Sequence, residues 1–564
     1  MFRTRSRFSF RGWRRVAAVL VVITTLFPTL ALGTLAERGD YVLRVHQFIY
    51  PDFVDPQKSS FTNELDILAL IYEGLTRLDE NQQTVPAAAE SWEYNADATQ
   101  ITFHLQEGLT YSDGSPLTTE NFRYAAERTC DPATAGSYQS ILFVVTGCAE
   151  FARLTTDANG NAREYIAAEH EAARLALGVR ALDDLTLQID FTLPVPYLHT
   201  LAFTWVFFPV RQEIVAADPD NWWRSPEGNI GNGPFIVTHI DPDQRWIFAA
   251  NDHYRLGRPK LDGIEFIYIG DSAVALQTYR TGDLEIVGVG ASVNDEIHND
   301  PALADQLLEY PVAGTMMLSM QLDRAPFDDP KVREAFAYAF DRSTFCAELQ
   351  DGLCVPTQSW VPPGVPGAIE TEAFAFDPEE AKQALADSTY GDAPSLPEIT
   401  LTYGNNDPRE VERAEWVAGQ YRDILGVKAN LAPMEGGTLF GLMKQADTYP
   451  QLVMYSGWFQ DYPDPQNWLS LVWTGDSVFA QPIGYCNPEF DRLVEQGDTT
   501  VDPETRMPFY EQAGQVLVAD APGVFLINTE GHFLVRPGVT GLAPTASAVE
   551  WPGQYAAVEN IEKS

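Results

Sequence analysis

The spacing of apolar and polar positions predicts most of the chain's elements. Residues 41–45 read as a strand, and the stretch from about 63 to 72 as a helix stopped at Gly74. Residues 91–94, the turn Asn95-Ala96-Asp97-Ala98 and the alternating run 101–105 read as a hairpin. After a turn cluster at 111–116, Thr118 or Thr119 caps a helix running through Phe122 and Ala126, and 185–193 alternates as a further strand. Strands dominate from about 233 to 290, with a helix at 272–281 among them. From 311 onward strands and helices alternate: strand 316–322 before helix 329–340, strand 399–403 before helix 409–424, then strand 427–431, helix 438–445 and strand 452–455. Such alternation predicts an open, mainly parallel sheet. A β-rich α/β part followed by a second α/β part predicts two lobes facing a cleft, and 564 residues are too many for one hydrophobic core.

The ends and the cysteines add a compartment. Arg3, Arg5, Arg7, Arg11, Arg14 and Arg15 precede an apolar run over 16–32, followed by small-residue exits at Ala31-Leu32-Gly33 and Thr34-Leu35-Ala36. Residues 1–36 therefore read as a secretory signal, or as an uncleaved N-terminal anchor. Arg14-Arg15 matches a twin-arginine signal poorly, and with the first Cys at 130 no lipid-bearing Cys follows the apolar run. Cys130 and Cys148 enclose a short loop, as do Cys346 and Cys354, and both pairs suit disulfides that leave Cys486 single. A metal site is the competing reading, but no CxxC or clustered Cys/His spacing supports it.

Charge narrows the partners. Acidic residues number 79 against 37 basic, for a net charge of −42. A surface of that sign repels phosphates, which excludes a nucleic-acid binder. It fits a well-solvated exported surface, a salty habitat or a preference for cationic solutes.

Five stretches then carry a likeness. They are Tyr72-Glu73-Gly74-Leu75 continued by Pro86-Ala87-Ala88-Ala89-Glu90-Ser91-Trp92; Phe103-His104-Leu105 through Tyr111-Ser112-Asp113-Gly114-Ser115-Pro116-Leu117-Thr118; Gly231-Asn232-Gly233-Pro234-Phe235; Pro326-Phe327-Asp328-Asp329-Pro330-Lys331-Val332-Arg333 with Ala337-Tyr338-Ala339-Phe340-Asp341-Arg342; and Gly457-Trp458-Phe459-Gln460-Asp461-Tyr462-Pro463-Asp464-Pro465. In this order they resemble the peptide- and nickel-type (family 5) extracellular solute-binding proteins of ABC importers, across essentially the whole mature chain. Physically most of the signature is scaffold. Asp328 or Asp329 caps a helix whose first turn accepts Pro330, and Val332, Ala335, Phe336 and Ala339 line its buried face.

The resemblance implies an α/β, two-lobed periplasmic-binding-protein type II fold with an extra peripheral domain. Lobe I would comprise 37–75, 206–310 and 526–564, the peripheral domain 76–205, and lobe II 311–525, with hinge strands near 310 and 525. It implies capture of di- or oligopeptides in the cleft and delivery to permease subunits served by a cytoplasmic ATPase, by a monomer without cofactor or metal. Asp461, just past a buried strand, is the expected anchor for the peptide's α-ammonium group, because ligands of open α/β sheets bind beyond the strands' carboxyl ends. Trp458 and Phe459 are expected to line the pocket, and Met317, with Met316 and Met320, offers an adaptable apolar wall. Against these stand plainer readings: Asp461 or Asp464 as a helix cap before Pro465, Trp458 as a core aromatic and the methionines as strand core. Other solutes remain alternatives, an oligosaccharide or a metal chelate among them. A secreted hydrolase is a further one, although no G-x-S-x-G, H-E-x-x-H or G-x-x-x-x-G-K-[ST] occurs and the eight His are scattered.

Overall fold

The computed structural model describes residues 41–564 apart from 156–162, 164–165 and 405–407. The signal or anchor expected over 1–36 lies outside the described residues.

An 11-stranded sheet organises the chain. Its strands are β1 (Val42–Gln47), β2 (Phe235–Asp241), β3 (Arg245–Ala250), β4 (Gly263–Tyr268), β5 (Ile286–Gly288), β6 (Leu307–Met320), β7 (Cys354–Pro356), β8 (Ile399–Gly404), β9 (Ala429–Met434), β10 (Leu452–Phe459) and β11 (Gly523–Val535). Their order is β9-β8-β10-β6-β11-β5-β1-β4-β3-β2, with β7 on β11. Parallel pairing holds only locally, for β1 with β4 and β5 and for β8 with β9 and β10. The sheet is therefore mixed rather than mainly parallel. The reason is the long pair β6 and β11, which run antiparallel between the two ends of the sheet and impose that sense on β10 and β5 beside them.

Two main hydrophobic cores sit along this sheet. One gathers Leu43, Val45, Phe248, Ile264 and Phe266 with Trp205, Phe207 and residues of the 76–205 region such as Phe103 and Leu187. The other gathers Met317, Leu318, Phe336, Leu401, Val453 and Trp468. Within β6 the allegiance changes between Val312 and Ala313, and within β11 between Ile527 and Phe533. Pairing of β6 with β11 is interrupted between Pro311 and Thr315, at the same level. A four-stranded antiparallel sheet, Ala89–Tyr94, Gln100–Leu105, Thr186–Asp190 and Val179–Ala181, forms a separate layer.

Helix α1 (Thr62–Ile71) opens where the Glu64 carboxylate accepts the backbone N–H groups of Ser60 and Phe61 at 2.8 and 3.2 Å. Of the two candidate caps at 328–329, Asp329 accepts from the Lys331 N–H at 2.8 Å and starts helix Pro330–Tyr338. Disulfides join Cys130 to Cys148 and Cys346 to Cys354, and Cys486 is free and exposed.

Candidate functional site

β10 runs four residues further than its pattern of apolar residues predicts. Its partner β6 continues alongside it, pairing Thr315 with Trp458 and Gly314 with Phe459. Trp458 and Phe459 are therefore strand residues rather than loop, and Asp461 lies just beyond the carboxyl end. Gly314 makes the extension possible. A Cβ there would stand 2.3 Å from Thr529 Oγ1 and 2.6 Å from the Phe459 ring. Pleating sends the two aromatic side chains opposite ways: Trp458 joins the second core, while Phe459 packs against the first.

Trp458 acts on Asp461 through Asn467. The indole Nε1–H donates to Asn467 Oδ1 at 3.2 Å, and that oxygen also accepts the Asp461 backbone N–H at 3.1 Å. The Asn467 amide then donates from Nδ2 to Asp461 Oδ2 at 3.0 Å. Asn467 is fully buried, so this orientation is held by packing on all sides. Asp464 does something different. It caps the short helix Pro465–Trp468 through the Gln466 N–H at 2.9 Å and forms a bidentate pair with the Arg506 guanidinium at 2.6 and 2.8 Å. The two carboxylates that compete in the sequence are thus separated: Asp464 is the paired cap, and Asp461 has no cation among the described residues.

The wall facing Asp461 comes from elsewhere in the chain. Tyr138 donates its hydroxyl to Asp461 Oδ1 at 3.4 Å. Beside it the Gln460 amide donates to Gln82 Oε1 at 2.9 Å and to Ser547 Oγ at 3.0 Å. Phe61 and Phe440, both exposed, meet with ring centroids 5.4 Å apart. Tyr138, Asn467 and Gln460 are the site residues that sequence reasoning missed. Gln460 stood within the quoted stretch, but nothing near Tyr138 or Asn467 marks either as a partner of Asp461.

Burial pushes the Asp461 carboxyl up to about 7, against the lowering effect of hydrogen bonds from Asn467 and Tyr138. Among the described residues no salt bridge involves it. The chemistry that suits such a group is a buried cation brought by a ligand, since an enclosed charge without a partner is costly. Met317 is 2% exposed and belongs to the second core. No group of three or more His, Cys, Asp or Glu among the described residues is placed to hold a metal, and no described helix is long and apolar enough to cross a membrane.

Comparison with known proteins gives a consistent result. The family model for bacterial extracellular solute-binding proteins, family 5 Middle, matches residues 83–479. The dipeptide-binding protein DppE of Bacillus subtilis (strain 168) is 27% identical over 500 residues, 86% of each chain. A probable deoxycholate-binding periplasmic protein of Escherichia coli (strain K12), YgiS, is 27% identical over 537 residues, covering 93% of this chain and 95% of the relative. The solved structure of Burkholderia pseudomallei OppA superimposes with a TM-score of 0.77 at 25% identity, over 93% of this chain and 99% of that one.

Proposed function

Because this chain belongs to the bacterial extracellular solute-binding proteins of family 5, we propose that it captures peptides between its lobes outside the cytoplasm and passes them, chemically unchanged, to the permease of an ABC importer powered by a cytoplasmic ATPase. Lobe I is 37–75, 206–310 and 526–564, the peripheral domain 76–205, and lobe II 311–525. In this reading β6 and β11 are the hinge strands, and residues 1–36 direct export.

The observation that carries the reading is the half-buried Asp461 carboxylate, with two hydrogen-bond donors and, among the described residues, no cationic partner. A peptide's α-ammonium supplies the missing charge and three more donors. Trp458 positions the carboxylate through Asn467, Phe459 closes the wall toward lobe I, and Met317 backs the pocket from the core. Closure over a ligand brings Tyr138 and the Gln82–Gln460–Ser547 bonds together, so the ligand is enclosed by both lobes.

The bile-acid relative raises a second solute class, but an anionic steroid would meet an uncompensated carboxylate where it needs a cation. Titration calorimetry of the purified chain against tripeptides, oligosaccharides and deoxycholate separates these. Micromolar or tighter binding of tripeptides alone is expected; deoxycholate or an oligosaccharide binding in their place would overturn the reading.

A further inference from the structure

A second carboxylate, remote from Asp461 in the sequence, is buried and likewise has no cation among the described residues. Asp66, on α1, is 1% exposed. Its Oδ2 accepts from Gln47 Nε2 at 2.7 Å, and its Oδ1 has no hydrogen-bond partner. One turn earlier on the same face of the helix, Thr62 donates its hydroxyl to Glu550, which brings that carboxylate alongside. No salt bridge among the described residues involves Asp66 or Glu550. Burial raises both carboxyls, and the Glu550 charge raises Asp66 further.

A small cavity lies here against the first core. Asp66, Trp551, Gln554 and Tyr555 line a cavity of about 60 Å³. Three further polar atoms in its lining, Tyr72 OH, Trp551 Nε1 and Tyr555 OH, are buried without partners, and Trp551 is itself fully buried. Tyr555 holds its ring there from a left-handed backbone, φ +52°, a conformation that bulky residues avoid. At the far end Arg77 is already engaged by Glu73 and Glu559, at 3.8 and 3.1 Å, so it is not available to Asp66. Ser547, three residues before Glu550, accepts from the Gln460 amide at 3.0 Å, so this segment of chain also reaches the residue beside Asp461.

We propose that Asp66, with Glu550 beside it, is a second cation subsite that receives the basic side chain of the bound peptide, so that the protein selects peptides carrying lysine or arginine. This rests on the peptide reading above and adds a substrate class to it. Two carboxylates side by side repel each other as well as losing their hydration, and a single ammonium or guanidinium relieves both. Tyr555, with an oxygen free to accept, suits the same group.

The test is calorimetry of the full chain with Ala-Lys-Ala and with Ala-norleucine-Ala, which has nearly the same length and shape but no charge. The lysine peptide is expected to bind at least about tenfold more tightly, a factor set by one charge-assisted contact, and D66N and E550Q are each expected to collapse that ratio. Equal affinities in the wild-type chain would mean that the two acids are neutral or occupied by water, and would overturn the subsite while leaving the peptide reading intact. Failure of both peptides to bind would instead remove the peptide reading. Should a variant not fold, a crystal structure of the wild-type chain with Ala-Arg-Ala decides: a guanidinium within 4 Å of Asp66 supports the subsite, and ordered water alone there contradicts it.

Discussion

At the scale of single residues, the site turns on how one carboxylate differs from its neighbour three positions on. Asp464 is buried with Arg506, whereas Asp461 is half-buried and has no cation among the described residues. In the ligand-free chain a carboxyl raised to about 7 stabilises the fold at low pH, and that contribution is lost as pH rises from the unfolded value near 4 through 7. Asp461→Asn removes the effect. The variant should therefore be more stable than the parent above pH 7, by on the order of 1–3 kcal/mol after allowance for partial solvation, and no more stable near pH 4; urea unfolding at both values checks this. Ligand affinity has the opposite dependence. It should weaken below about pH 7 as Asp461 takes up a proton, and weaken again above about pH 8 as the peptide's amino group loses one, so calorimetry from pH 5 to 9 should trace a bell. The sequence left Asp461 or Asp464 as the cap before Pro465, and only the resemblance singled out Asp461 as an anchor, because the pairing that settles the cap depends on Arg506, far along the chain.

At the scale of elements, alternation and capping made most strands and helices legible, including the hairpin around Asn95 and the helix after Asp329. The end of β10 was not. Its last residues, Gly457 to Phe459, have no apolar alternation of their own and are strand only because β6 lies beside them. The place where that dependence can be tested is Gly314. Gly314→Ala puts a Cβ against Thr529 and Phe459 and should destabilise the protein by about 1–3 kcal/mol, with weaker peptide binding as Phe459 shifts; chemical denaturation and calorimetry read the two effects. The short helix after Asp464 depends likewise on a distant partner. Arg506→Ala leaves Asp464 buried and unpaired, with an expected loss of about 3–5 kcal/mol, and adding Asp464→Asn should recover part of it in a double-mutant cycle.

At the scale of the whole molecule, two cores share one sheet through β6 and β11, and the Tyr138–Asp461 and Gln82–Gln460 hydrogen bonds join segments far apart in the sequence. The two-lobed α/β architecture was readable from the change of pattern near 311 and from the family resemblance, whereas the mixed sense of the sheet was not, because strand direction follows from chain crossings that local pattern does not encode. A ligand can favour the closed form only by its extra contacts there. Small-angle scattering should accordingly show a smaller radius of gyration on addition of a binding peptide, and an unchanged one would speak against clamp-like closure. The central claim is that Asp461 holds the ligand's free amino group, and the most direct measurement compares one tripeptide with its N-acetylated form by calorimetry at pH 7.5. The account predicts that acetylation weakens binding by roughly 2–5 kcal/mol in the wild-type chain and much less in Asp461→Asn; equal binding of both forms by the wild-type chain would contradict it.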